Sequence, residues 1–177
     1  VSPACSDAPE TWAQLERDWW RKARQDVQPG CIGWVPYPFT RFLNLLHLAM
    51  GYSKGPYLEL GAGIGTKCLA AEVMGLEARG IENCADYLAE AQRLTAPVEL
   101  GDVRTTDVSG AGIVFLNHPL SDAQAEIDLE LAVQAQLAPG AVLITVNSLA
   151  APVRGAHWVV IARPMHYDLV VMKHDAR

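Results

Sequence analysis

The residues best able to do chemistry lie in the middle of the chain. Tyr57-Leu58-Glu59-Leu60-Gly61-Ala62-Gly63-Ile64-Gly65 reads as a strand running into a turn with three alternate glycines. Glycine lets a backbone reverse and approach a ligand where a Cβ would obstruct it. A second apolar run ends at Gly80-Ile81-Glu82, 21 positions beyond Gly61. A carboxylate at that place can accept both hydroxyls of a ribose. After a third run, Leu100-Gly101-Asp102-Val103 offers Asp102 to an adenine amino group and the Val103 N–H to a ring nitrogen. A fourth run ends in Leu116-Asn117-His118-Pro119-Leu120. There an amide oxygen can orient an amine without becoming charged, an imidazole titrates near neutrality, and a proline stiffens the loop. Each feature also has a plainer reading. Glu82 could be an ordinary acid at a helix N-terminus, Asp102 a turn residue, Asn117 a turn cap, and His118 a loop histidine bonded to a carbonyl.

Other chemistries fit poorly. A dinucleotide fingerprint needs G-x-G-x-x-G, whereas this turn is G-x-G-x-G with an acid two positions before it. A phosphate-binding loop needs Gly followed by Lys and then Ser or Thr, but here the order is Gly65-Thr66-Lys67. Cys5, Cys31, Cys68 and Cys84 are scattered without a C-x-x-C pair, so neither a zinc site nor a disulfide framework is expected. His157, His166 and His174 have no ligand partners at metal spacing, and His47 reads as a packed or surface residue. No metal is expected.

These residues need elements to hold them. Strands are predicted at Tyr57–Leu60, Ala78–Ile81, Val98–Leu100, Gly112–Leu116 and Ala141–Val146, with helices near Thr66–Met74, Cys84–Leu94 and Ser121–Leu137 between them. Such alternation makes a mostly parallel sheet with helices on both faces, an α/β fold. Trp158–Ala162 and Asp168–Met172 are separated by too few residues for a helical crossover and should form an antiparallel hairpin. Upstream, Trp12, Leu15, Trp19 and Ala23 recur at helical spacing within Glu10–Val27, and Pro29-Gly30 ends that helix. Gly33-Trp34-Val35-Pro36-Tyr37-Pro38 must be extended, and a second helix runs from Pro38 to about Gly51. We divide the chain into a helical N-terminal extension and lid, 1–52, and a core, 53–177, within a single compact unit.

Composition narrows the partners. The 177 residues are 50% hydrophobic and 19% charged, enough apolar surface for one packed domain. The net charge of −6 is concentrated between residues 56 and 147, which carry 13 acidic and 4 basic side chains. So acidic a core disfavours a nucleic-acid partner. Arg17, Arg21, Lys22 and Arg24 alternate with Glu16, Asp18 and Asp26 and read as a solvated helix face. With no apolar leader and no long uncharged apolar run, no membrane is expected and the location expected is cytoplasmic. The oligomeric state is not readable.

Taken together, these residues resemble the class I S-adenosylmethionine-dependent methyltransferases from about Tyr37 to His174. That resemblance implies a seven-stranded Rossmann-like sheet, with the last strand inserted antiparallel between the fourth-strand side and the fifth. It implies S-adenosyl-L-methionine as cofactor and S-adenosyl-L-homocysteine as product. Glu59, Gly61, Gly63 and Gly65 would surround the methionine part, Glu82 the ribose, and Asp102 with Val103 the adenine, while Ala62, Asn83 and Asn117 complete the cofactor contacts. Asn117-His118-Pro119-Leu120 is similar to the Asn-Pro-Pro-Tyr motif of amine-directed methyltransferases, but His118 replaces a proline and Leu120 the aromatic on which a flipped base would stack. Asn117 and His118 are therefore the catalytic candidates. Trp34-Val35-Pro36-Tyr37-Pro38 resembles the run before the core of seven-strand protein lysine methyltransferases, which makes Trp34, Pro36, Tyr37 and Pro119 candidates for the substrate side. The expected activity is N-methylation of an amine on a protein, lysine-like, or on a small molecule. The alternatives are a catalytically silent cofactor-binding scaffold and, more remotely, an NAD-dependent oxidoreductase.

Overall fold

A computed structural model describes residues 8–23, 37–146, 158–162 and 169–173. Its elements run α1 (Ala8–Ala23), α2 (Phe39–Met50), β1 (Tyr57–Leu60), α3 (Thr66–Val73), β2 (Ala78–Glu82), α4 (Ala85–Arg93), β3 (Val98–Leu100), β4 (Ile113–Leu116), α5 (Ala123–Gln136), β5 (Val142–Thr145), β6 (Trp158–Ala162) and β7 (Leu169–Lys173). The seven strands form one sheet in the order β3-β2-β1-β4-β5-β7-β6. The first five strands pair in parallel, while β7 pairs antiparallel with both β5 and β6. The expected mixed α/β sheet with a closing hairpin is therefore present.

The position of the last strand corrects the sequence expectation. It lies between β5 and β6, not between the fourth-strand side and the fifth. The reason is local. The β4-α5-β5 crossover places Ile113–Leu116 directly beside Val142–Thr145, which leaves no place between them, and β7 pairs on the outer side of β5.

Alternation along the central strands builds two apolar layers. Tyr57, Ile113, Phe115, Val142 and Ile144 face α2 and α3, where Phe39, Phe42, Leu46, Cys68 and Ala71 cover them. Leu58, Leu60, Val114, Leu116 and Leu143 face the other way, against Leu129 and Val133 of α5 and Leu137 just after it. Phe42 is fully buried and meets Tyr57, Phe115 and Phe39 in tilted or edge contacts at 5.2–6.0 Å. So α2 is part of the main core.

α1 lies across the start of this assembly. Trp12 meets Phe39 of α2 edge-on at 6.2 Å, and Trp19 meets Tyr87 of α4 at 5.9 Å. Its outer face carries the Gln14–Asp18, Gln14–Arg17 and Asp18–Arg21 bonds expected of a solvated surface. Glu16 is not on that face. It is buried, one turn from Trp12 and one from Trp19, which corrects its reading as a solvated charge. Among the described residues no helix is long and apolar enough to cross a membrane.

Candidate functional site

Register brings the four strand ends to one rim. Leu60 pairs with Ile81 on one side and Leu116 on the other, and Glu82 pairs with Leu100. The segments that follow those ends, from Gly61, Asn83, Gly101 and Asn117, therefore leave the sheet side by side at its carboxyl edge, where open α/β sheets take ligands.

The glycine turn is held from several directions. Gly61 and Ala62 both donate to the Ile81 carbonyl at 2.9 Å. Gly61, Gly63 and Gly65 have φ of 78°, 55° and 76°, the left-handed region that only glycine enters freely. At Gly61 a Cβ would come within 2.7 Å of Pro119 Cβ, so the Asn117–Leu120 loop rests directly on the turn. At Gly65 a Cβ would meet Ala96 and Val98 at 2.5–2.6 Å. These close-packing requirements explain Gly61 and Gly65 apart from any ligand, and the positive φ accounts for Gly63.

Glu82 sits against this turn. Its Oε2 accepts from Gly63 N at 2.7 Å, and its Oε1 accepts from Asn83 N at 2.9 Å and Cys84 N at 2.8 Å. One buried carboxylate thus joins the turn to the start of α4. Gly101 N donates to the Glu82 carbonyl at 3.0 Å, which sets Asp102 next along the rim. Asp102 Oδ1 accepts from Arg104 N at 2.9 Å, and its Oδ2 from an Arg104 terminal nitrogen at 2.6 Å. Those bonds hold its carboxyl below the usual range. Val103 is buried beneath it.

Glu59 faces inward. Cys68 Sγ donates to its Oε2 at 3.4 Å. Burial pushes its pKa up to about 8; Lys67 and the Cys68 bond oppose the rise, and Glu16 and Glu82 add to it. The group beside it escaped the sequence reading. Glu16 of α1 accepts from Thr66 Oγ1 and, at 2.9 Å, from Lys67 Nζ, with all three residues buried. Burial opposes the Lys67 charge, but Glu16 and Glu59 outweigh it and hold the ammonium above its usual pKa. The readable signal was an acid at i+4 from Trp12 and i−3 from Trp19, on the apolar stripe of its helix.

The fourth loop is held at its proline and at its far end. Pro119 abuts Gly61, and Leu120 N donates to Glu126 Oε1 of α5 at 2.6 Å. His118 between them has φ of 48°, a left-handed conformation unusual for a side-chain-bearing residue. Burial raises Glu126 to about 6, against the lowering effect of the Leu120 N–H and with help from Glu130. Sequence reading missed Glu126, because an acid in the first turn of a helix is ordinary.

Of the substrate-side candidates, Tyr37 is buried with its ring 5.9 Å from Phe115, and Pro119 is on the rim. Trp34 and Pro36 lie outside the described residues, as do Asn147, His157, His166 and His174. His47 is exposed on α2. No group of metal-binding side chains occurs among the described residues. Cys68 is free, but Cys84 is disulfide-bonded, contrary to expectation; widely separated cysteines give no pairing signal in a single sequence. A cavity of about 280 Å³ lined by Pro56, Tyr57, Arg79, Asp107 and Gly110 opens at the opposite edge of the sheet and touches none of the rim residues.

Comparison with solved structures is decisive for the architecture. An RNA methyltransferase from Salinibacter ruber, crystallised with S-adenosyl-L-homocysteine, superposes with a TM-score of 0.62 at 22% identity over 81% of this chain and 96% of that one. The fold is that of the class I methyltransferases. An rRNA methylase from Streptococcus thermophilus gives a TM-score of 0.57 at 13% identity, covering 80% of this chain and 99% of that one. An S-adenosylmethionine-dependent methyltransferase from Clostridium acetobutylicum gives 0.55 at 15% identity, with 78% of this chain matching 58% of that protein. No protein-family model and no curated protein matches the chain by sequence. Two of these three neighbours are named for RNA, so the methyltransferase fold does not support the expectation that nucleic acid is an unlikely partner.

Proposed function

We propose that the chain binds S-adenosyl-L-methionine along this rim and transfers its methyl group to an amine on a protein or small molecule. The observation that carries the reading is the placement of Glu82 against Gly63, with Asp102 and the Asn117–Leu120 loop on either side. The residues fit the cofactor. The Glu82 oxygens take three N–H donors and keep acceptor capacity for a ribose hydroxyl. Asp102 is half open and offers an adenine amino group an acceptor in competition with Arg104. Gly61, Ala62, Gly63 and Gly65 supply a backbone surface free of long side chains, and Asn83 and Val103 flank the nucleoside positions.

When bound, the cofactor supplies an electrophilic methyl on a sulfonium. The protein's share is to orient the acceptor and remove a proton. Asn117 would hold the amine by its amide oxygen, and His118 would accept the proton that the alkylated nitrogen sheds. Pro119 and Glu126 keep both on a fixed loop. A silent binding protein is the second reading, favoured by Leu120 where amine-directed relatives carry an aromatic. The G-x-G-x-G turn and the antiparallel β7 weigh against an NAD-dependent oxidoreductase.

Titration calorimetry tests this. S-adenosyl-L-homocysteine should bind and NAD should not, and Gly63→Arg, which forces a long side chain into a left-handed position beside Glu82, should abolish binding. Asn117→Ala should keep affinity while lowering transfer of labelled methyl to small-molecule, protein or RNA fractions. Label entering only RNA would replace the amine-on-protein reading. Binding without transfer to any fraction would favour the silent one.

A further inference from the structure

Three features stand outside the proposed chemistry: the cavity at the amino edge, the exposed Val159 and Val160 on edge strand β6, and the buried cluster of Glu16, Lys67, Thr66 and Glu59. The cavity is lined by charges of both signs without a convergent set, and nothing indicates what would cover the valines. The cluster is different, because it joins a helix outside the sheet to the residues that follow the glycine turn.

Lys67 is 5% exposed, and a lone ammonium so buried is costly unless an anion neutralises it. Two carboxyls are near enough to do so. Glu16 Oε1 is 2.9 Å from Lys67 Nζ and also accepts from Thr66 Oγ1. Glu59 lies beneath, its proton retained at neutral pH by burial. The carboxylate in contact with Lys67 Nζ is that of Glu16, which belongs to α1 and not to the core. The same helix lays Trp19 on Tyr87 of α4 and on the cluster that Tyr87 forms with Cys84 and Ile64 of the turn, and Ala62 to Gly65 are buried. α1 therefore covers the turn, and displacing Glu16 would leave Lys67 without the carboxylate bonded to it.

We propose that Thr66 and Lys67 form a carboxylate-binding site that Glu16 fills in this structure, and that the amino-acid carboxylate of the methyl donor takes it over as α1 withdraws. The inference rests on the methyl-donor reading above. Exchange of one carboxylate for another keeps Lys67 neutralised throughout, and no bond to carbon is made or broken. It also gives the donor's amino-acid end a role separate from that of its nucleoside end, which Glu82 and Asp102 receive.

The two ends can be tested apart, because S-adenosyl-L-homocysteine carries the carboxylate and 5′-methylthioadenosine does not. Calorimetry on the wild type and on Glu16→Gln, which keeps the Thr66 bond but removes the competing charge, should show S-adenosyl-L-homocysteine binding about ten-fold more tightly to the variant, with 5′-methylthioadenosine changed less than about two-fold. Lys67→Met should weaken S-adenosyl-L-homocysteine alone. Hydrogen exchange on the wild type gives a readout that needs no variant: α1 amides around Glu16 should exchange faster with S-adenosyl-L-homocysteine than with 5′-methylthioadenosine. Equal effects on both ligands, or an α1 equally protected with both, would overturn the exchange while leaving the methyl-donor reading intact. A wild type that binds neither ligand would overturn both.

Discussion

Single side chains do unequal work along the rim, and Glu126 illustrates how much can hang on one of them. It is buried at the start of α5 and accepts the Leu120 N–H, which ties down the far end of the loop carrying Asn117 and His118. Glu126→Ala leaves that N–H unsatisfied and should cost about 1–3 kcal/mol in denaturant unfolding. Glu126→Gln presents an amide oxygen at the same place and should recover most of the loss. If alanine and glutamine behave alike, the Leu120 bond is not what holds the loop. Glu59 and Glu82 were picked out in the sequence by their spacing from the glycines. Glu16 was not, although its place on the Trp12–Trp19 stripe marked it, and Glu126 was not, because an acid in the first turn of a helix is ordinary.

The elements themselves were largely legible. Short apolar runs marked every strand to within a residue or two, and glycines and prolines marked the turns between them. α5 is the exception that shows the limit of periodicity. Its buried positions include Glu126, Glu130 and Gln134 beside Leu129 and Val133, so polar and apolar residues share the inward face. Strand order was not legible at the sheet's end, since hydrophobic pattern gives a strand's existence and not its neighbour. α2, grouped in sequence with the N-terminal extension, contributes Phe39, Phe42 and Leu46 to the main core. Phe42→Ala, which removes a ring packed on Tyr57, Phe115 and Phe39, should cost about 3–5 kcal/mol and lower the melting temperature accordingly. A loss below about 1 kcal/mol would mean that α2 is a peripheral cover.

For the molecule as a whole, the raised carboxyls set the response to pH. Glu59 titrates at about 8 in the fold against 4.5 when exposed, with Lys67, Glu16, Cys68, Glu82 and Tyr57 as its charged or titratable surroundings. Below pH 4.5 it is protonated in both states. As pH rises from there towards 8, the unfolded chain releases the proton while the fold keeps it, so stability falls by up to about 1.4 kcal/mol per pH unit from this group. Glu126 acts in the same sense up to about pH 6. Melting temperature should therefore decline between pH 5 and 8, and Glu59→Gln should flatten the decline; an unchanged slope would place the proton elsewhere.

The Glu82 carboxylate is met on both oxygens by main-chain donors, one from the turn and two from the start of α4. An amide substituted there would set N–H against N–H whichever way it was flipped. Recognition of a nucleoside and the local course of the chain consequently share one pair of acceptors, and a neutral isostere at this position cannot remove the first without disturbing the second.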